Sequence, residues 1–143
     1  MFSKIMVATD GSDNADAAVA HAAELARKVG AAEVFLVHIC PGCTADIDVK
    51  DFNRETAEKI VHEAARKFRR SGAKVHTRVE IDYPPEAIGS AIVAVAEREG
   101  VDLLVLGSRG LSEFRGMLLG SVSNRVVQKA TCPVLVIKHA PQE

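Results

Sequence analysis

Short apolar runs alternate with helix-length segments from one end of the chain to the other. Ile5-Met6-Val7-Ala8 reads as a strand, closed by the turn residues Thr9-Asp10-Gly11-Ser12. Ser12 or Asp13 can cap the helix that follows, and Asp13 and Asp16 suit its positive end. That helix is expected to run to about Lys28. Val19, Ala22, Ala26 and Val29 form its buried stripe at spacings of three and four, and Gly30 is its stop. Val34 to Val37 is the second strand, and Cys40-Pro41-Gly42-Cys43 is expected to turn the chain away from it. A helix over about Asp51 to Arg70 follows, stopped by Ser71-Gly72. Val75 to Ile81 reads as a third strand. Its charges, with Lys74, Arg78 and Glu80 among them, suit an edge.

Pro84-Pro85 opens the next helix, because proline is tolerated in a first helical turn, and Gly100 closes it. Val101 and Leu103 to Leu106 are apolar on both faces, the pattern of a central parallel strand. Residues 107–119 form a loop bearing glycine and arginine. A short helix starts near Gly120-Ser121, and Val134 to Ile137 is the last strand. The order βαβαβαβαβ implies a single domain over residues 1–143, with a mostly parallel sheet covered by helices on both faces. Ligands of such sheets bind beyond the carboxyl ends of the strands, where the strand order reverses. That directs attention to Thr9–Ser12, Ile39-Cys40 and Gly107–Gly110.

Composition removes several alternatives. The chain has 143 residues, 48% hydrophobic and 26% charged, enough apolar content to build a core without disulfide staples. Its longest apolar run, Ala91 to Ala96, is six residues, far below the roughly 20 needed to span a bilayer. Eighteen basic residues against 19 acidic ones leave a net charge of −1, which argues against broad electrostatic binding to nucleic acid or anionic membrane. The N-terminus has no basic and hydrophobic leader pattern, and three cysteines suit a reducing compartment. A cytoplasmic protein is therefore expected.

The chemistry concentrates after the fourth strand. Gly107-x-x-Gly110 is followed by Gly120-Ser121-Val122-Ser123 at a helix start. Glycines let backbone amides approach anionic oxygens, and a helix N-terminus supplies N–H groups and partial positive charge. Ser121 and Ser123 add hydroxyl donors or a metal-facing oxygen, and Arg109 and Arg115 lie in the loop between. Together these residues describe a phosphate cradle. There is no GxxxxGK[ST], no GxGxxG and no GxSxG, so the P-loop, dinucleotide and serine-hydrolase motifs are absent. His38, Cys40 and Cys43 offer three potential zinc ligands with no fourth nearby, and His38 is expected to be a satisfied residue at a strand end. Arg66, Lys67, Arg69 and Arg70 read as a cation-rich helix end.

The spacing Gly-x2-Gly-x9-Gly-Ser, carried by Gly107, Gly110, Gly120 and Ser121, resembles the signature of the universal stress protein family, in its ATP-binding branch. The resemblance extends to Val7–Ser12, Leu36–Ile39, Asp102–Ser108 and Cys132–Val136, and so to nearly the whole chain. It implies the adenine nucleotide alpha hydrolase-like fold, an open five-stranded parallel sheet in the order 3-2-1-4-5. It also implies an ATP site. Asp10 and the backbone of Ile39 would face adenine, with Ala8, Thr9 and Gly107 by the base and ribose. Leu106, Arg109, Gly110, Gly120, Ser121, Val122 and Ser123 would surround the phosphates, together with Mg2+ or Mn2+. A homodimer through the edge strand Val134–Ile137 is implied as well. The chain departs from the family at Ile81-Asp82-Tyr83, where a glycine often stands, and at Cys40–Cys43. No residue is placed to activate water, so no catalytic residue is assigned. The expected function is an ATP-dependent regulatory switch in the stress response. The alternatives are a slow ATPase or phosphotransfer enzyme, and a thiol oxidoreductase built on the CxxC.

Overall fold

Five parallel strands lie in the order β3-β2-β1-β4-β5, flanked by four helices. They are β1 (Lys4–Ala8), β2 (Glu33–Pro41), β3 (Lys74–Tyr83), β4 (Leu103–Gly107) and β5 (Val134–Ile137). The helices are α1 (Asp13–Val29), α2 (Ile47–Arg66), α3 (Ile88–Glu99) and α4 (Ser121–Lys129). The computed structural model describes residues 2–42, 47–108 and 119–138; for 47–52 and 82 it describes the backbone alone.

Alternation along the central strands divides the core into two layers. Ile5 and Val7 of β1, Val34 and Leu36 of β2 and Leu103 and Val105 of β4 pack with Val19, Ala22 and Ala26 of α1 and Val61 of α2. Met6, Phe35, Val37, Leu104 and Leu106 point the other way, onto Ile92, Val95 and Ala96 of α3 and Val126 of α4. Both faces of β1 and β4 are therefore buried, which is why these strands read as unbroken apolar runs. The alanines of α1 let its backbone lie close to the sheet.

Helix ends follow local chemistry. Ser12 Oγ accepts from the Ala15 amide at 3.2 Å and caps α1. Gly30 closes it at φ 66°, a left-handed conformation that costs a side-chain-bearing residue free energy. Val29, expected in the buried stripe, is 41% exposed; it is the last residue of α1, beside the Gly30 cap.

Several boundaries differ from the sequence expectation. β2 continues through Pro41, which pairs with Tyr83, and the Gly42 amide donates to the Tyr83 carbonyl at 3.1 Å. The turn after Ile39 is thus a register shift within the sheet, not a departure from it. α2 begins and ends earlier than expected, at Ile47 and Arg66. Phe68, 1% exposed, is drawn into the core by tightened turns in which Lys67 and Phe68 donate to Ala64 and Ala65. The Ser71 hydroxyl closes this turn on the Phe68 carbonyl at 2.7 Å. Pro85–Ala87 forms a 3-10 turn ahead of α3. β3 is an edge strand, as its charges indicate. Its Arg78 pairs with Glu99 at 3.2 Å, and Glu80 with Arg98 at 3.2 Å.

Candidate functional site

The strand order reverses between β1 and β4, and there a cavity of about 540 Å³ opens at their carboxyl ends. Its size suits a small organic ligand. Ala8, Thr9 and Asp10 from the end of β1 form its floor. Val37, His38 and Ile39 from β2 form one side, and Leu106 and Gly107 from β4 the other. Ser121, Val122 and Ser123 from the start of α4 border it, and apolar walls come from Ile60, Ile88 and Ile92.

The β1–α1 turn is tightly organised. Thr9 N–H donates to the Val37 carbonyl at 2.9 Å, anchoring the turn to β2. Thr9 Oγ1 accepts from the Gly11 amide at 3.2 Å, and Asp10 Oδ1 accepts from the Ser12 amide at 2.9 Å. Gly11 adopts φ +79°, and a Cβ there would stand 3.3 Å from Ile60 Cγ1. Asp10 is the only charged side chain among the described residues lining the cavity.

His38 is 8% exposed and its Nδ1 lies 2.8 Å from the Thr9 carbonyl. A carbonyl can only accept, so Nδ1 carries the proton. Burial pushes this imidazole below the ordinary histidine range, against the Thr9 carbonyl and the Asp10 carboxylate, which both favour its protonated form. His38 is thus bonded, as expected, but it also belongs to the cavity, a role that strand position alone did not indicate.

The opposite end of the cavity is built from β4 and α4. A Cβ on Gly107 would stand 2.9 Å from the Asn14 carbonyl oxygen, so only glycine allows α1 to approach this strand end. The Ser123 hydroxyl, 3% exposed, donates to the Gly107 carbonyl at 2.7 Å. Its proton is therefore engaged within the protein, and the side chain offers a ligand its oxygen lone pairs rather than a hydroxyl donor. The Gly120 amide donates to the Ser108 carbonyl at 2.7 Å and ties the head of α4 to the same strand. Gly120 is the cap of α4 and has no side chain to satisfy the helix's opening amides.

Of the residues assigned from sequence, Ala8, Thr9, Asp10, Ile39, Leu106, Gly107, Ser121, Val122 and Ser123 converge on the cavity. Gly120 sits immediately behind them as the α4 cap. Arg109 and Gly110 lie outside the described residues, as do Arg115 and Cys43. Cys40 lies within β2, one residue before its end, with Sγ 3.6 Å from the Pro41 carbonyl, rather than heading a helix as a thioredoxin-type thiol does. Among the described residues no three His, Cys, Asp or Glu side chains gather as a metal site. No described helix is long and apolar enough to cross a membrane. The residues that periodicity did not single out are the walls Ile60, Pro85, Ile88 and Ile92; as apolar helix positions they carry no signal that separates cavity from core.

An open, doubly wound parallel sheet with a cavity at its switch point defines a ligand-binding class of α/β fold. Within it, the universal stress protein family matches residues 1–138, and the chain belongs to that family. It is 31% identical to universal stress protein MJ0531 of Methanocaldococcus jannaschii, over 100% of this chain and 86% of that one. It is also 31% identical to universal stress protein MJ0577 of the same organism, over 97% and 96%. The solved structure of MJ0577 superposes with a TM-score of 0.77 at 30% identity, covering 99% of both chains. A universal stress protein solved in complex with cAMP superposes at 0.72 with 28% identity, covering 96% of this chain and 97% of that one.

Proposed function

We propose that this chain binds ATP in the switch-point cavity and acts as a nucleotide-dependent regulatory protein with little or no hydrolysis. The observation that carries the reading is the convergence of Asp10, Ile39 and Gly107 on one cavity with the head of α4. One end presents acceptors and an apolar slot suited to adenine. The other presents a helix N-terminus without a capping side chain, suited to phosphate. Gly107, Gly110, Gly120 and Ser121 keep the Gly-x2-Gly-x9-Gly-Ser spacing of the sequence motif. The cAMP complex of a relative supports an adenine nucleotide as the ligand class.

Mg2+ or Mn2+ belongs to the proposal as the partner of the phosphates. The described protein side chains supply hydroxyl oxygens there, at Ser121 and Ser123, rather than a carboxylate cluster. The metal would neutralise phosphate charge, while the chain orients the nucleotide and shields its base. No described lining residue is a base poised on a phosphate: Asp10 and His38 belong to the β1–β2 side, away from α4. The proposal includes a cytoplasmic setting and a homodimer through β5.

Calorimetric titration with ATP and Mg2+ tests the reading. Gly110→Val is expected to weaken binding by at least tenfold while the protein still melts cooperatively. Equal ATP affinity in the wild type and a folded Gly110→Val protein would overturn it. A steady-state ATPase rate in the usual enzyme range of about 1–10³ s⁻¹ would replace the switch with an enzyme.

A further inference from the structure

His38 is held in one tautomer. Its Nδ1–H is committed to the Thr9 carbonyl at 2.8 Å, so the neutral ring carries its lone pair on Nε2. Among the described residues Nε2 has no hydrogen-bond partner. It is not sealed in the core either: the only fully buried side-chain N or O atom there without a partner is Asn14 Oδ1. The ring is more than nine-tenths buried, and His38 lines the cavity. An unpartnered acceptor on a largely buried ring that lines a ligand cavity calls for a donor from the ligand.

We propose that His38 is a specificity-determining residue of this cavity, with Nε2 accepting a hydrogen bond from a neutral N–H or O–H of the bound nucleoside. The inference rests on the nucleotide reading above and adds a residue and a direction to it. The lone pairs of Nε2 and of the Asp10 carboxylate repel phosphate oxygens, so the β1–β2 end of the cavity takes the nucleoside. The phosphates then run toward α4. Thr9 serves as the positioning residue, because its carbonyl chooses the tautomer. With the opposite tautomer Nε2 would be a donor, and the site would select for a nucleoside acceptor instead.

Two nucleoside groups can supply the donor: the exocyclic amine of adenine and a ribose hydroxyl. Titrations with ATP, purine riboside triphosphate, 2′-deoxy-ATP and 3′-deoxy-ATP separate them. Each analogue removes one donor. In the wild type the analogue lacking the donor that His38 reads should bind about three- to tenfold more weakly than ATP, the worth of one net hydrogen bond. In His38→Asn the shorter amide can still donate to the Thr9 carbonyl, but nothing occupies the place of Nε2. Discrimination against that one analogue should then fall to near unity, while the ratios for the other two stay as they were. Long-range 1H–15N spectra of the wild-type imidazole give a reading that needs no variant. Nδ1 should be protonated, Nε2 unprotonated, and the Nε2 shift should move when ATP binds.

ATP binding with identical analogue ratios in the wild type and a folded His38→Asn protein would overturn the role of His38 and leave the nucleotide reading standing. An Nε2–H tautomer, or an Nε2 shift indifferent to bound ATP, would overturn it as well. Absence of ATP binding by the wild type would overturn both.

Discussion

Gly89 of α3 and Arg125 of α4 touch so closely that a Cβ built on Gly89 would stand 2.7 Å from Arg125 Cβ and 3.2 Å from the Val122 carbonyl oxygen. The crossing of these two helices thus fixes where the head of α4 meets the cavity. Gly89→Ala should force them apart, at an overpacking cost of about 1–3 kcal/mol. Thermal unfolding should show the loss. ATP affinity should fall with it, because Val122 and its neighbours move. An unchanged melting temperature would show that the crossing has slack.

Ser123→Ala removes the donor that satisfies the Gly107 carbonyl at 2.7 Å inside the protein. The expected loss of stability is about 1–3 kcal/mol, read from denaturant midpoints. It should exceed the effect of an alanine at exposed Asn124, which has no such tie to β4.

Acidification should destabilise the fold through His38. Burial holds its pKa below the ordinary histidine value of about 6.5, so between that value and the lower folded one the unfolded chain binds more protons. Stability therefore rises with pH in that window. The contribution is complete above 6.5 and is lost as pH falls through the folded pKa. Asp10, the charge that faces the ring, reduces the effect without reversing it. The Glu33 carboxyl is held below the ordinary carboxylate range by its hydrogen bond with His76. Urea midpoints between pH 7.5 and 5 should fall more for the wild type than for a folded His38→Gln protein. Parallel profiles would remove His38 as the cause.

The β5 edge pairs with β4 on one side, and its four residues are half-buried. An apolar edge with open backbone groups invites pairing with a second copy about a two-fold axis. Val136→Lys should shift a dimer toward monomer in light scattering. A wild type that is monomeric at micromolar concentration would refute this interface.

Leu104 is fully buried between α3 and the sheet. Leu104→Ala should cost about 2–5 kcal/mol, read from the denaturant midpoint. The same change at exposed Val127 should cost far less.

The element order was legible in the chain because each strand and helix carries its own local signal. Val134–Ile137 appears in the structure with the bounds that its apolar run predicts. Ser12 and Gly30 mark the ends of α1 through capping chemistry that needs no distant partner. The signal failed where distant packing decides a boundary. The end of α2 is set by burial of Phe68, and the length of β2 by pairing with β3. Neither partner can be seen from within the segment.

The β4–α4 end of the cavity could be read in the same way. Glycine spacing and a helix start are local features, and Gly107, Gly120 and Ser121 carry them within a short stretch. At the β1–β2 end Thr9, Asp10 and Ile39 were legible, but the part played by His38 was not. The tautomer of His38 is chosen by the Thr9 carbonyl, 29 residues away in the chain. The closeness of Gly89 to Arg125 depends on how two helices cross. Strand and helix identity, capping and motif spacing were determined by the sequence itself, because they arise from interactions within a few residues. Which acceptor faces the cavity, and how tightly α4 is held against it, were decided only in the tertiary structure. Hydrogen bonding and close packing between remote segments act only after the sheet has brought those segments together.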